Sequence, residues 1–109
     1  MKISKELLKG NTATMILAIL AEGDSYGYGI ASEIARRTKD AVQLQTGTLY
    51  PILHTMVKEG LISEYERESD SRRVRKYYRI TTAGLLRLTA LKEEWRVLSE
   101  SMQGVLAKE

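Results

Sequence analysis

Leu49, Ile52, Leu53, Met56 and Val57 fall at i, i+3, i+4, i+7 and i+8, the apolar stripe of an amphipathic helix. Pro51 lacks an N–H and its ring collides with the backbone one turn back, so that helix must begin shortly before it. The spacing places the start near Thr46–Thr48, where a threonine can cap the free N–H groups, and Gly60 predicts the end. Upstream, Ser4–Glu22 reads as a first helix; its second half, ATMILAILA, is apolar on nearly every side, as in a helix wedged into a core. Gly23–Ser25 forms a turn, with Asp24 or Ser25 as N-cap of a second helix over Tyr26–Thr38. That helix buries Ile30, Ala31 and Ile34 and turns Glu33, Arg36 and Arg37 outward. Gly27 and Gly29 weaken its start by roughly 1 kcal/mol each relative to alanine. They admit a close neighbour there, either the first helix or a phosphate. Lys39–Gln45 is a short connection to the third helix, with Val42 and Leu44 turned inward.

Beyond Gly60 the period changes from helical to alternating. Leu61–Arg67 and Arg75–Thr81 read as strands, and in the second Tyr78 and Ile80 point one way while Tyr77 and Arg79 point the other. Between them, Glu68–Val74 is polar, as the tip of a hairpin should be. From Thr81 or Thr82 a helical period resumes and runs to about Ala107. Leu88, Leu91, Trp95, Leu98, Met102 and Val105 recur at spacings of three and four, a coiled-coil seam. These elements predict a mainly α fold with a small β-hairpin wing. A winged helix-turn-helix occupies residues 1–81 and a long C-terminal dimerisation helix occupies 82–109. A compact winged unit already buries its own faces, so the seam needs another surface. A helix of this length exceeds what the domain beneath it requires, which favours a two-fold partner.

Charge placement changes the picture more than total charge. The chain has 109 residues, 17 Lys and Arg against 14 Asp and Glu, and a net charge of +3, which by itself points only weakly to a polyanionic partner. Five cations, Arg72, Arg73, Arg75, Lys76 and Arg79, fall in eight residues at the hairpin tip and second strand. The third helix meanwhile presents Thr46, Thr48, Tyr50, His54, Thr55 and Lys58 opposite its apolar stripe, a face without a carboxylate before Glu59. Such a face can hydrogen-bond base edges in a major groove, and a basic hairpin beside it can lie along phosphates. An ordinary solvated helix and a charge-protected hairpin would each look similar alone; their succession favours DNA binding. Thr46, Thr48, Tyr50, His54, Lys58, Arg72, Arg73, Arg75 and Lys76 are therefore the expected DNA-binding residues.

Three stretches carry a family resemblance. YGYGI at Tyr26–Ile30, GTLYPIL at Gly47–Leu53 with EGLI at Glu59–Ile62, and RRVRKYYRIT continuing to Gly84 resemble the PadR-like transcriptional regulators over almost the whole chain. The resemblance implies a homodimeric winged helix that binds a palindromic promoter site in double-stranded DNA, represses transcription, and is released by a small molecule or another signal. A single C-terminal helix looks like the short branch of the family. Some members of that branch carry a tryptophan at the position of Trp95 and bind flat aromatic compounds between the two subunits, which makes the chain similar to multidrug-sensing members. The chain departs from the family at Gly29, where a charged or larger residue is common.

Trp95 therefore has two readings, a large residue of the dimer core and a platform for a planar aromatic effector. In the second, Leu91, Leu98 and Met102 supply an apolar wall, and Glu94 or Glu100 meets a cation. The dimer interface is expected at Leu88, Leu91, Trp95, Leu98, Met102 and Val105. His54 is the sole histidine and cysteine is absent, so no metal site, cofactor or disulfide is expected. No nucleophile motif or Gly-rich phosphate loop is present, and Glu93–Glu94 reads as a solvated or inter-subunit charge pair, so no catalytic residue is assigned. The apolar run Ala13–Ala21 is too short to span a bilayer and the first ten residues lack a signal-peptide core, so a soluble cytoplasmic protein is expected. Two other functions fit the same elements: a winged-helix protein-interaction module, which would not need its wing charges, and a small-molecule sequestering protein without operator binding.

Overall fold

The structure, a computed structural model, describes residues 1–107. Its elements run α1 (Lys5–Leu8), α2 (Thr12–Glu22), β1 (Ser25–Tyr26), α3 (Gly27–Arg37), α4 (Thr46–Lys58), β2 (Ile62–Glu68), β3 (Val74–Ile80) and α5 (Thr82–Leu106). Positions 108 and 109 of the expected dimerisation helix lie outside the described residues.

The first helix expected over Ser4–Glu22 is two helices. Gly10, at φ +87°, takes a left-handed conformation that stops α1, and the Asn11 N–H closes the turn on the Leu8 carbonyl at 2.8 Å. Ser4 caps α1, its hydroxyl accepting from the Leu7 N–H. The segment before it is tied elsewhere, because the Ile3 N–H donates to the Ala41 carbonyl at 2.9 Å. The second helix also starts later than expected. Ser25 and Tyr26 form a short strand that pairs with β3, so neither Asp24 nor Ser25 caps α3; Tyr26 holds that position without a side-chain cap bond. The wing is accordingly part of a three-stranded antiparallel sheet ordered β1-β3-β2, one strand more than the expected hairpin.

Helix α4 begins at Thr46, within the expected Thr46–Thr48, but Pro51 lies past the first turn, inside the helix, where it withholds one backbone donor. The cap position belongs to Gln45, without a side-chain hydrogen bond, so the threonines are helical residues rather than caps. The helix ends as Gly60 predicts. Gly60 takes φ +76°, its N–H donates to Val57, and the Leu61 N–H donates to Met56, the two bonds of a Schellman motif.

Leu49, Leu53 and Met56 of α4 join Ile16, Leu17 and Leu20 of α2, Ile30 and Ile34 of α3, Val42, Ile62, Tyr78 and Leu88 in one core. Leu88, expected on a subunit interface, is thereby corrected: it is 4% exposed and belongs to the subunit's own interior. Leu91 packs against the edge of that core. Farther along α5, Trp95, Leu98, Met102 and Val105 stand exposed, Trp95 by 60%. The start of α5 is fastened. The Thr81 hydroxyl accepts from the Gly84 N–H and donates to the Gly60 carbonyl at 2.6 Å, while the Thr81 N–H donates to the Leu61 carbonyl. Buried Gly84 sits so close to that carbonyl that an added Cβ would lie 2.1 Å from its oxygen. Helix α5 carries the molecule to 60 Å in its longest dimension.

Candidate nucleic-acid interface

The apolar stripe of α4 fixes its rotation on the core, and the opposite face follows from that. Thr46, Thr48, Tyr50, His54, Thr55 and Lys58 are all exposed, and the first turn carries no acidic residue to offset the positive end of the helix dipole. Thr55 is partly occupied, its hydroxyl donating to the Pro51 carbonyl at 3.0 Å. Tyr50 leans toward α3. An added Cβ on Gly27 would lie 2.5 Å from the Tyr50 hydroxyl oxygen. The close neighbour that Gly27 admits is therefore a tyrosine of α4 rather than the first helix. Gly29 admits the side chains of Ser25 and Tyr26 in the same way, which accounts for a glycine where a larger residue would collide.

The five wing cations are not equivalent. Arg72 and Arg73 lie at the tip, where Arg72 takes φ +61° in a turn closed by the Arg72 N–H on the Ser69 carbonyl. Both are exposed, and neither has a carboxylate partner among the described residues. Lys76 lies 3.6 Å from Glu64, an exposed and weak pair. Arg75 is half-buried with its guanidinium 4.6 Å from the centre of the Tyr26 ring, and its Nε is buried without a hydrogen-bond partner among the described residues. Arg79 belongs to the scaffold. It pairs with Asp24 at 2.9 Å and lies over the Tyr65 ring, so the basic cluster read from the sequence supplies four cations to the wing surface rather than five. Hydrogen bonds from Tyr65 and Arg79 hold the Asp24 carboxyl below the ordinary aspartate range.

Sequence reading missed two contributors. Tyr26 and Tyr28 stack with ring centres 6.5 Å apart, and with Tyr50, Arg73, Arg75 and Lys76 they line a groove of about 500 Å³. The pairing of β1 with β3 places Tyr26 there, and a strand of two residues leaves no periodic signal to read.

A second groove, of about 670 Å³, runs between α1, α2 and α5 and is predominantly apolar. Trp95 and Leu98 line it together with Ile3, Leu7, Leu8 and Met15. Leu91 and Met102, expected beside Trp95, do not line it: Leu91 is drawn toward the core and Met102 lies farther along α5. Glu100 and Glu93 are both paired with Arg96, so Glu94 is the unpaired acid of that stretch among the described residues. No helix among the described residues is long and apolar enough to cross a membrane.

Residues 16–90 match the family described as the transcriptional regulator PadR-like family. The chain is 32% identical over 102 residues to Transcriptional regulator Rv3488 of Mycobacterium tuberculosis, covering 94% of this chain and 89% of that protein. Its fold is similar to that of a transcriptional regulator from Clostridium thermocellum, at TM-score 0.86 and 32% identity, covering 94% of this chain and 100% of that one. A PadR-like transcriptional regulator from Bacillus cereus gives TM-score 0.84 at 32% identity, covering 96% of this chain and 100% of that one.

Proposed function

The chain belongs to the PadR-like family of transcriptional regulators, and from that premise we propose that it is a cytoplasmic, homodimeric repressor that binds a palindromic operator. The observation that carries this reading is the pairing of a carboxylate-free α4 face with a wing whose Arg72 and Arg73 have no acidic partner among the described residues. Residues 1–81 form the DNA-binding unit in this proposal. Thr46, Thr48, Tyr50, His54 and Lys58 face bases and flanking phosphates, and Arg72, Arg73, Arg75 and Lys76 face the backbone. Residues 82–109 supply the dimer, through the exposed stripe of Trp95, Leu98, Met102 and Val105. Burying such a stripe against its two-fold copy removes apolar surface from water at roughly 25 cal/mol per Å².

The proposal includes a ligand. Trp95 is a mostly exposed indole on the wall of an apolar groove, and its flat face with its negative quadrupole suits planar aromatic and cationic compounds. An effector there would meet Trp95 and Leu98 with Ile3 and Leu7.

Selection of bound fragments from a random DNA pool tests the central claim. The expected result is an enriched inverted repeat whose half-sites are spaced by about one helical turn, roughly 34–36 Å or a multiple. Failure to enrich any motif at low salt would overturn it.

A further inference from the structure

We infer that the groove between the wing and the start of α3 seats one backbone phosphate of the bound duplex, with its deoxyribose against the tyrosines. The wing and α4 are thereby held on the same nucleotide. The inference rests on the DNA-binding reading above and adds the site and its chemistry. Three cations, Arg73, Arg75 and Lys76, and three tyrosines, Tyr26, Tyr28 and Tyr50, line this groove, and no carboxylate among the described residues does.

Arg75 is the centre of the site. Its guanidinium is held over the Tyr26 ring, while its Nε is buried and has no partner among the described residues. A buried donor left unmade destabilises the folded chain, and an acceptor arriving from outside removes that deficit. Two neighbours make the contrast. Arg79 is stacked over Tyr65 in a similar manner but finds Asp24, and Arg67 is stacked over Tyr77 on an exposed strand position. Arg75 combines the stacked geometry with an unmet donor, and its side chain lines a cationic groove. A phosphodiester suits it, since its two non-bridging oxygens match the parallel donors of a guanidinium fork. Lys76 can add a point charge because its bond to Glu64 is long and solvated. The stacked rings of Tyr26 and Tyr28 offer the carbon face of a sugar an apolar floor. Tyr50 closes the site from α4, its ring resting over Gly27. Duplex DNA is favoured over a free nucleotide because the lining comes from both the wing and α4, the two elements that the basic tip and the carboxylate-free face direct toward one partner.

The experiment uses the selected operator, with single phosphates replaced by neutral methylphosphonates one position at a time. At one position in each half-site the replacement should weaken wild-type binding by about tenfold or more, as loss of a charge-assisted hydrogen bond does. Arg75→Met keeps the stem over Tyr26 and removes the donors, and should weaken binding to unmodified operator by a similar factor. Combined at that position, the two changes should be no worse than either alone. Tyr28→Ala, at a residue too exposed for its loss to unfold the domain, should show the same non-additivity there. Losses that multiply at every phosphate position, for both variants, would overturn the seat while leaving operator binding intact. Micromolar binding of a deoxynucleoside monophosphate alone would overturn the duplex as its occupant. A protein that selects no DNA would overturn the DNA-binding reading and the seat together.

Discussion

The hydroxyl of Tyr65 donates to the carboxylate of Asp24 at 2.6 Å across 41 residues of chain, and the Arg79 guanidinium reaches the same oxygen. The turn after α2 is thereby fastened to both long strands of the wing. Because Tyr65 and then Arg79 hold the Asp24 carboxyl below its ordinary value, the charged form is favoured in the folded chain. That stability is complete above the unfolded value, about 3.9, and is lost as pH falls through the lower folded value. Asp24→Asn keeps an acceptor and removes the charge. It should cost on the order of 1 kcal/mol at pH 7, after allowance for solvent screening. In urea titrations its deficit against wild type should shrink as pH drops below that unfolded value. A deficit equal at pH 7 and pH 3 would count against the charge.

Two glycines should respond oppositely to alanine. At Gly84 the new Cβ meets the backbone carbonyl of Leu61, which cannot swing away, so Gly84→Ala should destabilise by about 1–3 kcal/mol. At Gly27 it meets the hydroxyl end of Tyr50, a side chain free to rotate, so melting should change little while operator binding changes through Tyr50. Equal thermal shifts in the two variants would contradict this assignment.

The helices, the two long strands and the wing were legible in the sequence because each has a periodic apolar face or a glycine and proline boundary long enough to read. What escaped is short or non-local. The break at Gly10 is one left-handed residue inside an otherwise helical pattern. β1 is two residues whose strand character comes from β3, far along the chain. The role of Arg79 depends on Asp24, and that of Leu88 on α2 folding beneath it. Periodicity along α5 showed a seam, but not where the subunit's own core ends and free surface begins. Ile3 and Leu7 line the Trp95 groove only because the chain through α1 lies across that groove from α5, a tertiary fact without a local signature.

Dimerisation is best probed beyond that boundary. Leu98→Glu with Met102→Glu should place unpaired charge in an apolar interface at a cost of several kcal/mol while leaving each subunit folded. Sedimentation should show a wild-type dimer at micromolar concentration and a variant monomer. A monomeric wild type would refute the interface.

Arg72→Ala with Arg73→Ala should weaken binding to operator and unrelated DNA alike. The slope of log affinity against log salt should fall by about 2 per subunit. Thr48→Ala and His54→Ala should instead change which operator is preferred. An unchanged salt slope in the arginine variant would remove the wing from the phosphate backbone.

Trp95 is the sole indole, so its fluorescence reports on its groove without interference. Planar cationic dyes should quench it saturably, and Trp95→Ala should respond less to any compound that releases wild type from DNA. A variant that still responds fully would assign Trp95 to packing alone.

The joint at Thr81 has a mechanical consequence. Gly60, which accepts from the Thr81 hydroxyl, lies two residues past the end of α4, so the start of the helix bearing Trp95 is tied to the turn that ends the helix bearing Tyr50. At 1.5 Å per residue the helices measure about 37 Å for α5 and about 20 Å for α4. The Thr81 bonds and buried Leu88 fasten about the first two turns of α5 to the body of the subunit, so the helix is a cantilever rooted beside the end of α4. Load applied at the exposed end of α5 is therefore carried into the same core that seats Leu49, Leu53 and Met56 of α4.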